Sequence, residues 1–422
     1  MKRLTHGQIV CYSLANMGAN LVYQFANHAF PLFLQAYPVS NLVVGLLAQE
    51  RSLVGGFVQP IVGAISDRLP PNRLGRRRPF FVIGVPLTAL ALTLLAVHPA
   101  LWAVIAVMTV LSFFLAMAYD PYLALLPEIA PPEQRGVVGG VMTVLNMLGA
   151  VAVIGLAFVL WEKHQALVFL IVALGLVLTF AVTFFTITEP PRPRTPARHR
   201  GRPALRPYLR DILARRELMK YLGVTFLFWL GNGGLTPFVT RFGVSVLGLE
   251  ENTSFVLVLP AIAGAIVFAV PAGILAKRFG KKRVLTAGVF LFGAAGVAGA
   301  QMVQGVPDAV LVMAAVGIAN AITGALLVPL LTDLIPEARA GEFIGIGSSV
   351  QSLAQPIGAV AAGAMADATG TLRGAFVAGG LAMLAAGALL LAVHPERSAR
   401  DELFEQVPLA GTVGGSTDKY PG

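Results

Sequence analysis

Glu50, Arg51, Asp120 and His28 fall inside long apolar runs of the chain. A charge in hydrocarbon costs several kcal/mol, so such a side chain faces a cavity and has a partner. Asp120 lies about seven residues, or ~10 Å of helix, before the end of its run. Low polarity raises a carboxyl group toward the range in which it loads and releases a proton. Asp120 is therefore the first candidate for cation coupling, with a structural cap or ion pair as the alternative. Arg51 projects within about 80° of Gln59, whereas Glu50 points nearly opposite. Arg51 is expected to line a cavity or to pair with Asp120; Glu50 completes the candidate coupling group, with a structural role as its rival. His28 could relay protons, although a hydrogen-bonded lining histidine is the plainer reading.

Neutral amides and hydroxyls gather on three runs. Asn16, Asn20, Gln24, Asn27 and His28 lie within about 120° of one helical arc. Trp229, Asn232 and Thr236 share a second face. Gln351 and Gln355 share a third with Ser348 and Ser352, and Gln59 and Ser112 add to the set on two further runs. Such groups replace water around the hydroxyls of a sugar, and an aromatic plane covers its apolar ring face. Interhelical hydrogen bonding uses the same residue types and is the alternative. No nucleophile and base stand at catalytic spacing and no HisGluXaaXaaHis metal motif is present, so neither an enzyme, a metal nor a cofactor is expected.

The elements that must position these groups follow from composition. Of 422 residues 56% are hydrophobic and 12% charged, about half the charged fraction of a soluble domain. Apolar runs recur that are long enough to cross ~30 Å of hydrocarbon as helix. They predict twelve spans: 8–34, 41–65, 79–97, 100–126, 137–160 and 166–188, then 218–240, 253–276, 284–304, 309–331, 342–365 and 374–393. All Lys and Arg except Arg51, Lys163, Arg241 and Arg373 fall in alternate loops and the termini. By the positive-inside rule this places both termini in the cytoplasm of a multi-pass protein of the cytoplasmic or plasma membrane. The formal charge of +10 is thus spread along one membrane face, and no nucleic-acid partner is expected. Cys11 is the only cysteine and forms no intrachain disulfide.

Proline and like charge at 190–203 mark a linker. The expected organisation is a first six-helix half at 1–188, a basic cytoplasmic linker at 189–217 with a short amphipathic helix around 205–216, a second half at 218–393 and a disordered tail at 394–422. Two loop motifs recur at offsets of about 204 to 210 residues. Gly63-Ala-Ile-Ser-Asp67-Arg68 with Leu74-Gly75-Arg76-Arg77-Arg78 matches the segment Gly273 to Arg283, and Leu125 to Gly136 matches Leu330 to Gly341. Parallel repeats of this kind place a substrate between two halves near the midplane. The glycines at 231–234 and Pro237 are expected to bend the seventh helix.

The motif from Gly63 to Asp67 and Arg68, followed by Gly75 to Arg78, resembles the loop signature of the major facilitator superfamily. ValGlnProIleValGlyAlaIleSerAspArg at 58–68 with GlyArgArgArgProPhe at 75–80 resembles the sucrose/proton symporters and their relatives. AspProTyrLeuAlaLeuLeuProGlu at 120–128 resembles the glycoside-pentoside-hexuronide cation symporters, which include the melibiose carrier. The resemblance implies an all-α membrane protein of twelve helices that moves a sugar by alternating access with a cation gradient. Where the melibiose-carrier pattern has carboxylates on helix 2, this chain has Gly55 and Gln59, which favours H+ over Na+. Where sucrose carriers have an arginine and an aspartate on helix 4, it has Leu123 and Ser112. Asp67, Arg68, Arg76, Arg77 and Arg78 are then gate residues, with Glu128 and Arg135 as their partners. The expected partners are a small molecule, a proton and the lipid bilayer, for a monomer. Export of a lipophilic drug or metabolite, and a transport-inactive membrane sensor, are the rival readings.

Overall fold

Backbone inside hydrocarbon has no water to bond, and helix satisfies every N–H and C=O of a segment internally. The computed structural model describes residues 3–68, 75–189, 212–335 and 340–394, except for the side chains at 59, 60, 63, 64, 67, 68, 132 and 340–342. Expectations for the linker at 190–211, for the tail beyond 394, and for the side chains of Gln59, Asp67 and Arg68 and the surroundings of Gly63 lie outside the described residues.

Among the described residues twelve long helices follow one another. Helix α1 (His6–Gln24) starts in a capping box, in which Thr5 Oγ1 accepts from the Gln8 N–H and Gln8 Oε1 accepts from the Thr5 N–H at 3.0 Å. It continues through a π-helical segment, Phe25–Ala29, into Phe30–Phe33. Next come α2 (Asn41–Arg68), α3 (Arg78–Leu95) and α4 (Leu101–Ile129). The long run Pro132–Thr186 breaks at His164, whose φ of −145° and ψ of 53° leave the helical region. It is therefore two helices, α5 (132–163) and α6 (165–186).

In the second half α7 (Arg216–Leu235) runs on through a 3₁₀ turn, Thr236–Phe238, to Val239–Ser245. Helix α8 (Leu259–Phe279) is entered through Glu251–Ser254 and a 3₁₀ turn, Phe255–Val258. The remaining helices are α9 (Lys281–Met302), α10 (Val306–Thr332), α11 (Ala340–Thr369) and α12 (Arg373–Leu391). A single residue, Gly280, separates α8 from α9 at φ 90°, a conformation that side chains oppose.

The packing repeats. Helix α1 lies against the α5–α6 run, α2 and α3 against α4, and α3 against α6. In the second half α7 lies against α11 and α12, α8 and α9 against α10, and α9 against α12. Between halves α2 packs on α11, and the α5–α6 run meets the start of α8. Small residues allow these approaches: a Cβ at Gly363 would collide with Asn41 O, one at Gly45 with Ala359 O, and one at Gly317 with Ala261 O. The glycines of α7 act in the same way. Gly231 faces α12 and Gly233 faces α11 at distances that leave no room for a side chain, and Gly234 lies in tight contact with α11. The change of helix geometry comes later, at Thr236–Phe238 beside Pro237. The expected bend at Gly231 to Gly234 is thus a packing surface, because backbone apposition is what an interhelical glycine permits.

Candidate functional site

Among the described residues, two cavities lie where the halves meet. The larger, of about 330 Å³, takes Gln24, Asn27 and His28 from α1 and its π segment, and Trp229, Asn232 and Thr236 from α7. Its other wall is apolar and comes from α8, α9, α10 and α12. Asn27 Oδ1 and His28 Nδ1, on two of the lining residues, are buried with no hydrogen-bond partner. A buried acceptor or ring nitrogen left in that state carries a desolvation penalty that a bound solute or water relieves. The π segment bears on this directly, since it holds both residues and such segments are common at functional sites.

The smaller cavity, of about 170 Å³, is lined by Tyr23, Arg51, Ser52, Gly55, Asp120, Gln351, Ser352 and Gln355, with two apolar residues of α4. The Arg51 guanidinium lies 4.1 Å from the centre of the Tyr23 ring, a cation–π contact. Ser52 Oγ donates to Gln355 Oε1 across the halves at 2.9 Å. Arg51 and Asp120 therefore share one cavity, while Glu50 turns away toward Thr109 of α4. Gln351 and Gln355, expected with the substrate groups, stand instead with the two charged residues.

Three expected site residues lie elsewhere. Asn16 is 3% exposed; its Nδ2 donates to Asn146 Oδ1 at 2.9 Å and its Oδ1 accepts from Tyr119 Oη at 2.7 Å. Asn20 Nδ2 donates to Asn146 O at 2.6 Å. Both tie α1 to α5, because the neighbouring amide lies within hydrogen-bond reach and the cavity begins a turn further on. Ser112 is fully buried on α4 and lines neither cavity.

Hydrogen bonds that join the halves include several at the end away from the basic loops. Asp367 of α11 accepts from the N–H groups of Asn41 and Leu42, both at 3.0 Å, and from Asn41 Nδ2 at 2.8 Å. Trp161 Nε1 donates to Glu251 Oε2 at 2.8 Å, and Thr240 Oγ1 to His28 O at 2.8 Å.

At the basic end Glu128 Oε1 accepts from Arg76 and Arg77, each at 2.8 Å. Glu189 Oε2 accepts from the backbone N–H groups of Arg76 and Arg77 at 2.8 and 3.0 Å. Gly75, at φ 98°, brings the loop so close that a side chain there would strike Glu189. Arg78 Nη2 donates to Phe184 O, and its guanidinium covers the Phe184 ring. Arg135 donates to the carbonyls of Ala130 and Pro127. Arg76 and Arg77 thus meet Glu128 as the spacing suggested, whereas Arg78 and Arg135 find backbone. In the second half Lys281 and Asp333 repeat the Arg76–Glu128 pair at 2.7 Å.

Sequence reasoning missed Tyr23, Ser52, Asn320, Glu189 and Asp367. Asn320, an amide inside an apolar run, carried a usable signal; Glu189 and Asp367, outside such runs, carried none. Among the described residues no three His, Cys, Asp or Glu side chains come together to hold a metal ion.

Among the described residues, twelve helices in two repeated six-helix halves, with cavities at their junction, define the major facilitator fold of membrane transporters. The chain belongs to the MFS/sugar transport protein family, whose sequence profile matches residues 11–395. An uncharacterised MFS-type transporter of Methanocaldococcus jannaschii is 20% identical over 330 residues, spanning 76% of this chain and 79% of that protein. The D-xylose-proton symporter superposes with a TM-score of 0.70 at 15% identity, covering 92% of this chain and 98% of its own. A POT family transporter in complex with a thioalcohol-conjugated peptide superposes at 0.71 with 12% identity, covering 92% and 96%. At such identities these likenesses concern the fold, and it serves solutes as different as a pentose and a peptide.

Proposed function

We propose that the chain is a proton-coupled symporter of a sugar, of disaccharide or glycoside type, working by alternating access with both termini in the cytoplasm. The observation that carries the reading is the larger cavity between the halves, with an amide wall on which Asn27 Oδ1 and His28 Nδ1 have no protein partner. Hydroxyl groups supply the donors and acceptors these atoms need, at a net gain that a partnered amide would not offer. The Asp367, Glu251 and Thr240 contacts hold the outer end shut, and the cavity loads from the cytoplasmic side in this state.

Coupling is assigned to the smaller cavity. Asp120 there can exchange a proton, and Arg51 beside it senses whether that carboxyl is charged. The two cavities meet through adjacent residues, Tyr23 and Gln24 on α1, and through α11, which packs on both α2 and α7. Rearrangement of these helices is the proposed link between protonation and access.

The test is reconstitution in proteoliposomes with an imposed pH gradient and a panel of labelled sugars. Gradient-dependent accumulation of a sugar supports the reading, and absence of uptake across the panel sinks it. Export of a lipophilic metabolite by the same fold is the second reading, favoured by the apolar wall of the larger cavity. It predicts that inside-out vesicles accumulate such compounds when acidified within.

A further inference from the structure

Arg51 lies inside α2 and, among the described residues, is the one cation that lines the smaller cavity. Its Nη1 is buried with no hydrogen-bond partner, and among the described residues its guanidinium forms no ion pair. The Tyr23 ring, centred 4.1 Å away, offers it a π face and no hydrogen-bond acceptor. A guanidinium brings five N–H donors, and a charge within the membrane is retained where something answers it. No Asp, Glu, Lys or Arg lines the larger cavity, so an uncharged solute held there does not supply the missing partner.

The neutral groups beside Arg51 are able to donate. Ser52 Oγ donates to Gln355 Oε1 at 2.9 Å, which occupies the carbonyl end of that amide and leaves Nε2 as a donor. Gln351, Ser352 and Gln355 line the cavity from one face of α11. The space, about 170 Å³, holds a small ion together with a few waters at ~30 Å³ each. A single cation balances one negative charge, whereas a divalent ion would bring a second that the cavity leaves uncompensated.

Asp120 shares the lining and repels an anion while it is ionised. The titratable groups around it are Tyr23 of α1, Arg51 of α2 and Tyr119 of α4, and α11 brings none to the lining.

We propose that the smaller cavity is an anion site, in which a small monovalent anion such as chloride sits against the Arg51 guanidinium, receives hydrogen bonds from Gln355 Nε2 and the Ser352 hydroxyl, and enters when Asp120 carries its proton. Proton and anion then occupy the cavity as a neutral pair, and by linkage each favours the binding of the other. The site itself stands on the charge and donors of the cavity. Its tie to the coupling step rests on the proton exchange proposed for Asp120.

The experiment measures binding of radiolabelled chloride to the purified full-length protein in detergent, by equilibrium dialysis at mildly acidic and mildly alkaline pH. Gluconate keeps the ionic strength constant. The expected result is saturable binding that is lost in Arg51→Gln and is tighter at acidic pH by about tenfold or more, the effect of removing a unit charge across so small a cavity. Asp120→Asn is expected to bind chloride at alkaline pH as tightly as the unaltered protein does at acidic pH, a gain that misfolding does not produce. Absence of saturable binding at either pH overturns the site. Binding that persists in Arg51→Gln also overturns it and places the ion on the basic loops. Binding that is equal at both pH values and unchanged in Asp120→Asn overturns the pairing of anion with proton. Sulfate competing as well as nitrate overturns the preference for a monovalent ion. None of these readouts involves a sugar, so failure of the anion site and failure of the sugar reading are separate results.

Discussion

Asp367, on the last turn of α11, caps α2: its two carboxylate oxygens accept from the backbone N–H groups of Asn41 and Leu42 at 3.0 Å each. The first N–H groups of a helix have no partner within the helix, and a carboxylate there also meets the positive end of its dipole. Because the cap comes from the other half of the molecule, it exists only while the halves touch at this end.

Asp367→Ala should therefore shift the population toward the state open at the α2 N-terminus. A lost cap costs about 1 kcal/mol, or about fivefold in an equilibrium. With Cys11 replaced by serine, a cysteine at Asn232 should react faster with an impermeant maleimide added on that side. Unchanged labelling would show that the cap takes no part in closure.

Asp120→Asn should abolish gradient-driven accumulation while leaving exchange. Asp120 lines the smaller cavity and not the larger, so solute affinity measured without a gradient should stay within about twofold, as for independent sites. A large loss of affinity would mean that the two cavities act as one.

The two repeated ion pairs should differ in worth. Arg76 and Glu128 side chains are 13% and 3% exposed, Lys281 and Asp333 43% and 39%. Removing one member of a buried pair strands a charge, so Glu128→Ala should cost about 3–5 kcal/mol. Asp333→Ala should cost no more than about 1 kcal/mol. Thermal unfolding in detergent compares them, and equal losses would contradict the burial argument.

Gly317→Val should destabilise by about 1–3 kcal/mol or more, since its side chain must push Ala261 and with it α8 away from α10. Gly324→Val on the same helix meets nothing within 4 Å and serves as the control. Similar melting temperatures for the two variants would count against close α8–α10 apposition.

Asn16→Ala and Gln24→Ala should part stability from binding. Asn16 holds interhelical hydrogen bonds to Asn146, Met142 and Tyr119, so its loss should lower the melting temperature by a few degrees with affinity preserved. Gln24 lines the larger cavity, so its loss should weaken solute binding with stability preserved. The reverse pattern would exchange their roles.

Helix number, order and duplication were legible in the sequence, because an apolar run of the required length has one conformation open to it in hydrocarbon and the loop motifs at 63–78 and 273–283 recur in step. The Arg76–Glu128 contact was legible for the same reason, lying within a repeated motif. The apportioning of polar residues was not. A helical arc drawn at constant pitch puts Asn16, Asn20, Gln24, Asn27 and His28 together, yet the first two serve α5 and the last three the cavity. The π segment at Phe25–Ala29 resets the angular phase of Asn27 and His28, and the position of Asn146 decides that Asn16 and Asn20 are satisfied by protein.

The placing of Arg51 and Asp120 along one cavity, with Gln351 and Gln355, also depended on how α2, α4 and α11 lean together. The sequence by itself determined that this chain crosses a membrane as two copies of one six-helix unit, through periodicity, charge placement and repetition. Only the tertiary structure decided which buried polar groups are satisfied by one another and which are left for a solute, because that is set by distances between helices far apart in the chain.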